Sequence, residues 1–201
     1  MATKVSLTDI KTFATTAKSK LWDIAKSNNR DVKLYLHWTA ARYDQLFTDY
    51  HINITGDGTI YAMTLDFSEV LAHTWRRNSG SIGIALCCAY NSSSKNLGSY
   101  PPTEIQIEAI SQVGTILADA LDLTIDKKRI LTHGEAADNE DGLNIHPMYG
   151  PKNGCERWDL EFLGTKESSK FDPYAIDGSR GGDVLREKMN FYRSQNLSDL
   201  H

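Results

Sequence analysis

Two histidines and one aspartate are the residues best suited to chemistry in this chain. His37 and His133 each follow a short apolar run, and Asp159 follows a long polar segment. Two imidazoles and a carboxylate are an ordinary ligand set for a catalytic zinc ion, with the fourth position left to water. Donors this scattered must be gathered by tertiary structure, so spacing alone does not select them. His146 and Cys155 are rival donors in the same part of the chain, and a lone histidine is often a packed or solvated residue. The chain has no His-Glu-x-x-His helix and no Cys-x-x-Cys pair.

The elements that must position these side chains follow from periodicity. Val32, Leu34 and Leu36 alternate with Lys33, Tyr35 and His37, which predicts a strand with His37 off its apolar face. Tyr50 to Ile54 alternates again, and Thr59 to Ala62 resumes after Thr55-Gly56-Asp57-Gly58, a hairpin signal. On that strand Tyr50 and His51 take opposite faces. Residues 64 to 80 read as a loop carrying His73, Trp75, Arg76, Arg77 and Asn78. Ser81 to Tyr90 is nearly all apolar, as in a central strand covered on both faces. Asn91 to Tyr100 is a Ser/Asn/Gly loop.

Residues 6 to 27 carry Ile10, Phe13, Ala14, Ala17, Leu21 and Ile24 at helical spacing; Ser6 or Thr8 caps the start and Asn28-Asn29 mark the end. Thr103 and Gln106 form a capping box before Ile110, Val113, Leu117 and Leu121. Arg129 to Thr132 is a short strand delivering His133. Residues 134 to 156 read as one long irregular segment, the kind of loop that often binds ligands. Its acidic run, Asp138 to Gly142, lacks an EF-hand pattern and reads as a solvated turn. Val184 to Arg193 reads as a final helix with Val184, Leu185, Met189 and Tyr192 on its apolar side. Alternating strands and helices indicate an α/β fold.

The 201 residues fit a single domain, 1–201, and 40% apolar residues suffice for a core. A net charge of −4 with no Lys/Arg run gives no reason to expect nucleic-acid binding. No run approaches the ~20 apolar residues of a membrane span. The amino terminus lacks a signal-peptide core, so synthesis in the cytoplasm is expected. Cys87 and Cys88 read as small buried hydrophobes, and no disulfide framework is expected. Oligomeric state stays open.

Leu36-His37-Trp38-Thr39-Ala40, followed by Tyr50-His51 before Gly56-Asp57-Gly58-Thr59-Ile60, resembles the opening of the zinc-dependent N-acetylmuramoyl-L-alanine amidases of type 2. That superfamily includes phage lysozyme-type amidases and peptidoglycan recognition proteins. His73 and Asn78-x-x-Ser81-Ile82-Gly83-Ile84 resemble its central segment. Thr103 starts a helix similar to its long helix. His133-x-Glu135 resembles its second metal histidine, and Arg157-x-Asp159 its Lys-x-Asp or Lys-x-Cys element. The resemblance covers residues 32 to 163, flanked by the helix at 6–27 and an extension at 164–201 that contributes extra surface.

The resemblance implies a central mixed β-sheet flanked by helices, with one Zn2+ per chain held by His37, His133 and Asp159. It implies peptidoglycan or muropeptides as substrate and cleavage of the amide between N-acetylmuramic acid and L-alanine. Arg157 would support the oxyanion in place of a family lysine, with the same charge and a different geometry. Where some members carry glutamate after Ser-Ile-Gly-Ile, this chain has Ala85, so Tyr50 takes the catalytic role, as in a tyrosine subclass. His73, Trp75 and Asn78 would meet substrate, and Glu135 would orient the site. With no export signal, a phage- or prophage-type endolysin reaching the wall after the membrane is breached is the expectation. The alternative is a non-catalytic module that recognises muropeptides.

Overall fold

The computed structural model describes residues 1–201. Its sheet contains β1 (Thr3–Lys4), β2 (Lys33–Trp38), β3 (Ile52–Ile54), β4 (Ile60–Ala62), β5 (Ser81–Leu86) and β6 (Ile130–Thr132), ordered β1-β4-β3-β5-β2-β6. β2 runs parallel to β5 and β6, and β3 parallel to β5. β4 is antiparallel to β3 and β1, so the sheet is mixed. β5 lies in the interior of the sheet, buried along its whole length, as its apolar run predicts.

Three long helices share one face: α1 (Leu7–Ser27), α2 (Glu104–Ala120) and α4 (Gly181–Ser194). Ser6 and Thr103 close reciprocal capping boxes with Asp9 and Gln106. Leu34, Leu36, Ile82 and Ile84 of the sheet join Ile10, Leu21, Ile110, Val113, Leu117 and Leu185 in one apolar core. α2 lies between α1 and α4, and Gly114 lets Met189 of α4 come close, since a Cβ there would stand 2.4 Å from its methyl. The buried Gln106 amide donates to the carbonyls of Ile54 and Cys87, both at 3.0 Å, fastening α2 to the sheet.

The other face carries Tyr35 and His37. It is covered by the short helix α3 (His133–Ala137) and by irregular chain, with Tyr35, Leu131 and Ala136 as a small separate cluster. Ion pairs hold this cover in place. Arg186 of α4 grips Glu135 of α3 through two bonds of 2.7 Å and donates to the Ile130 carbonyl at 3.0 Å. Arg180 grips Glu161 at 2.7 and 2.9 Å and also reaches Glu140 at 2.9 Å.

The structure departs from the sequence expectations at several points. β3 begins at Ile52, so Tyr50 and His51 stand in the approach to it. The segment from 134 does not begin as irregular chain: Thr132 and Glu135 cap each other and start α3 at His133. Asp141 is not in a solvated turn, because its buried carboxylate receives Arg77 at 2.8 and 3.0 Å. Arg77, on the loop at 64–80, is therefore internal. α4 starts at Gly181, three residues before its apolar stripe, and β1 adds an edge strand.

His51 ties β5 to the 64–80 segment. Its Nδ1 accepts from the Gly83 amide at 3.1 Å, and its Nε2 meets the Glu69 carbonyl at 2.9 Å, where only a donor fits. One proton satisfies both contacts, so the ring is neutral, and burial lowers its pKa to about 4.

Two outcomes follow. Arg186→Met leaves the buried Glu135 carboxylate with only the longer Lys127 contact, at 3.7 Å, and the Thr132 amide, and should cost about 3 kcal/mol in urea unfolding. Below pH ~6.5 the unfolded state takes up a proton that folded His51 refuses until about pH 4, so stability falls as pH drops through that window. His51→Gln should flatten that part of the metal-free protein's stability–pH curve, read from urea midpoints between pH 4 and 7. A curve of unchanged slope would contradict this role for His51.

Candidate metal centre

Register places the two histidines. Leu36 of β2 pairs with Thr132, the last residue of β6, and the residue that follows each is histidine. Both imidazoles therefore emerge side by side at one rim of the sheet, their ring centroids 4.8 Å apart. Asp159 arrives from outside the sheet. The chain turns sharply after it, with Leu160 at φ 58°, and Gly181 presses so close to the Leu160 carbonyl that a Cβ would stand 1.9 Å from it.

One ligand atom from each of His37, His133 and Asp159 lies within 4.8 Å of the others, and all three residues are buried. Asp159 Oδ2 is 3.6 Å from His37 Nδ1 and 3.8 Å from His133 Nδ1. Those separations are long for hydrogen bonds. They are close to the ~3.4 Å between donors on a tetrahedral ion with bonds of about 2.0–2.2 Å. His37 Nδ1 has no hydrogen-bond partner although it is buried. A buried ring nitrogen without a partner beside a buried carboxylate is costly in a protein interior and is relieved by a cation, so the donor set fits a divalent metal.

The electrostatics agree. Burial pushes the His133 pKa down to about 3, favouring the neutral ring a metal requires. Burial pushes the Asp159 carboxyl up, but His133, His37 and Arg157 outweigh it and hold it below its usual value.

The site opens into a cleft of ≈ 420 Å³ lined by Tyr50, His73, His133, Arg157 and Asp159 among others. A second hollow of ≈ 640 Å³ adjoins it, lined by His73, Trp75, Asn78, Met148, Tyr149 and Arg157. The Tyr50 ring lies 5.0 Å from that of His37, and burial raises its phenol pKa, so the hydroxyl stays protonated. Arg157 is exposed at the lip and donates to the Glu156 carbonyl at 3.3 Å. Trp75 is 55% exposed and stacks on His146 at 5.0 Å. The Asn78 side-chain oxygen accepts from the amides of His73 and Thr74.

The rival donors stand outside the cluster. His146 binds Arg77 with one ring nitrogen and meets the Pro147 carbonyl at 2.9 Å with the other. Cys155 is exposed. Sequence reasoning missed Thr74 and Tyr149, whose hydroxyls lie 3.3 Å from His37 Nε2 and 3.4 Å from His133 Nε2. No spacing rule points to such residues. It also missed Arg186 behind Glu135, since the two are brought together only by the fold.

No curated protein matches the sequence. Among solved structures, the Ph2119 endolysin from Thermus scotoductus MAT2119 bacteriophage Ph2119 aligns over 52% of this chain and 72% of its own, with 17% identity and a TM-score of 0.41. The N-acetylmuramoyl-L-alanine amidase family matches residues 12–146, a span that includes His37 and His133 and ends before Asp159. That span is well over half of the sequence, and the chain belongs to the N-acetylmuramoyl-L-alanine amidase family.

Proposed function

We propose that this chain is a zinc-dependent peptidoglycan hydrolase of the endolysin type. It cleaves the amide between N-acetylmuramic acid and the L-alanine of the stem peptide. The observation that carries the reading is the gathering of His37, His133 and Asp159, with an unpartnered His37 Nδ1, at the base of a cleft.

His37, His133 and Asp159 are the residues that would hold the ion, one per chain, with both histidine Nδ1 atoms facing the Asp159 carboxylate. When bound, zinc supplies a Lewis acid and makes water nucleophilic near neutral pH. Tyr50 keeps its proton and donates a hydrogen bond at the reacting centre, steering charge that develops on the scissile carbonyl oxygen. Ala85 has no proton to exchange, whereas Tyr50 lines the cleft with its ring 5.0 Å from that of His37. Arg157, at the mouth, adds a positive charge on the side where that oxygen becomes negative. Trp75 offers an exposed indole face to a sugar or peptide methyl, while His73 and Asn78 shape the wall beside it. The two adjoining hollows give room for both parts of a muropeptide on either side of the scissile bond. Peptidoglycan lies outside the membrane, and no helix here is long and apolar enough to cross one. An enzyme of this type would meet peptidoglycan once the host membrane is breached.

Metal analysis and digestion test this reading. About one zinc per chain is expected, with muropeptides split into free stem peptide and glycan, read by mass spectrometry. A chelator should abolish the cut and added zinc restore it. Zinc-loaded protein that binds muropeptides and leaves them intact would favour the recognition module instead. Tyr50→Phe should lower turnover by about 100-fold or more with zinc content unchanged; turnover at the parent rate removes Tyr50 from the mechanism.

A further inference from the structure

Four polar side chains behind the site form a hydrogen-bonded line whose direction can be worked out from one end. The Ser81 hydroxyl lies 2.8 Å from the Arg77 carbonyl and 2.9 Å from the Asn78 carbonyl. Carbonyl oxygens only accept, so the single Ser81 proton is committed to them. Ser81 Oγ is also 3.5 Å from His73 Nε2, and having no proton left for that contact it can only accept. His73 therefore carries its proton on Nε2.

His73 is buried between the rings of His37 and His51, at 5.4 and 5.6 Å, a poor place for a second proton. Its Nδ1 is then an acceptor, and Nδ1 lies 2.9 Å from the Thr74 hydroxyl. Thr74 must donate to it. The same Thr74 oxygen stands 3.3 Å from His37 Nε2 and, with its proton spent, can only accept. His37 therefore carries its proton on Nε2 and presents a bare Nδ1 towards Asp159 and His133. Each step uses one proton and leaves no freedom to the next. Gly83 makes the line possible, since a Cβ there would stand 2.6 Å from the His73 ring.

We propose that Thr74 is a positioning residue which, aligned by Ser81 and His73, fixes the His37 tautomer so that Nδ1 is ready to bind metal. On this reading His73 acts mainly through Thr74. The inference rests on the zinc reading above, and its effect is one of metal affinity. Outer-shell partners of a ligating histidine typically alter affinity by about 10- to 100-fold.

Thr74→Val keeps the shape and removes the hydroxyl, whereas Thr74→Ser keeps the hydroxyl. Zinc affinity measured against a competing chelator should fall about 10- to 100-fold in the valine variant and stay within a few-fold of the parent in the serine variant. Nitrogen-15 NMR of the metal-free parent should show His37 protonated at Nε2, and Thr74→Val should show both tautomers. The proposal is overturned by valine and parent proteins of equal affinity, or by His37 protonated at Nδ1 in the parent. Parent protein that takes up no zinc defeats the metal reading alone, and the NMR tautomer then decides the role of Thr74. If the valine variant does not fold, the parent spectrum and the serine variant still decide it.

Discussion

The parallel ladder between β2 and β6 is the interaction on which the site depends. Hydrogen bonds slant evenly along such a pair and keep both carboxyl ends at one rim of the sheet. Leu36 and Thr132 are partners, and each is followed by histidine. The two imidazoles therefore meet without any further device. Pairing the same segments antiparallel would send one histidine to each end of the sheet. A one-residue slip would turn one ring to the apolar side, among Leu34, Leu36 and the helices.

Asp159 has no such ladder to place it, and electrostatics take over. The turn at Leu160 is backed by Gly181, and the Gly181 amide donates to the Glu161 carbonyl at 2.9 Å. Arg180 holds Glu161 and Glu140, while Arg186 holds Glu135 at the start of α3. The amino-terminal half of α4, with Arg180 at its N-cap, thus supports both the aspartate and His133. Buried ion pairs add little net stability over apolar packing, yet their directional bonds fix geometry, and the loss of one partner is severe. The division between faces follows. The helical face carries the apolar core, and the site-bearing face is held by paired charges and hydrogen bonds.

Much of this was readable in the sequence where periodicity reports burial. The strand ending at His37, the hairpin around Gly56 to Thr59, the central strand from Ser81, and the capped helices at Ser6 and Thr103 all appear where the pattern puts them. The three proposed ligands were legible mainly through family resemblance, and the fold gathers them. What escaped was short or long-range. α3 has five residues and no period; only the Thr132–Glu135 capping box announces it. β1 has two residues. The acidic run around Asp141 looked solvated because nothing local reveals that Arg77, far away in sequence, neutralises it inside the protein. Arg180 and Arg186 are invisible for the same reason. Charge pairing between distant segments leaves no periodic trace.

The row of residues beside His37 bears on how the site manages charge. Across the sheet His37 pairs with Ala85, which pairs in turn with Asn53, and both neighbours are fully buried. A carboxylate at Ala85 would add a second buried negative charge near Asp159. With alanine there, two neutral imidazoles and one carboxylate would leave a divalent cation with one unit of positive charge, and Arg157 adds another at the lip. A site of that sign would favour a carbonyl oxygen that becomes negative, with no carboxylate at position 85 to take up a proton. Tyr50, kept protonated by burial and packed against His37, suits such a site because it donates without adding charge. On the proposed reading, the small residue in the sheet and the phenol beside His37 belong to one electrostatic arrangement: a glutamate at Ala85 would weaken the positive field in which Tyr50 and Arg157 would act.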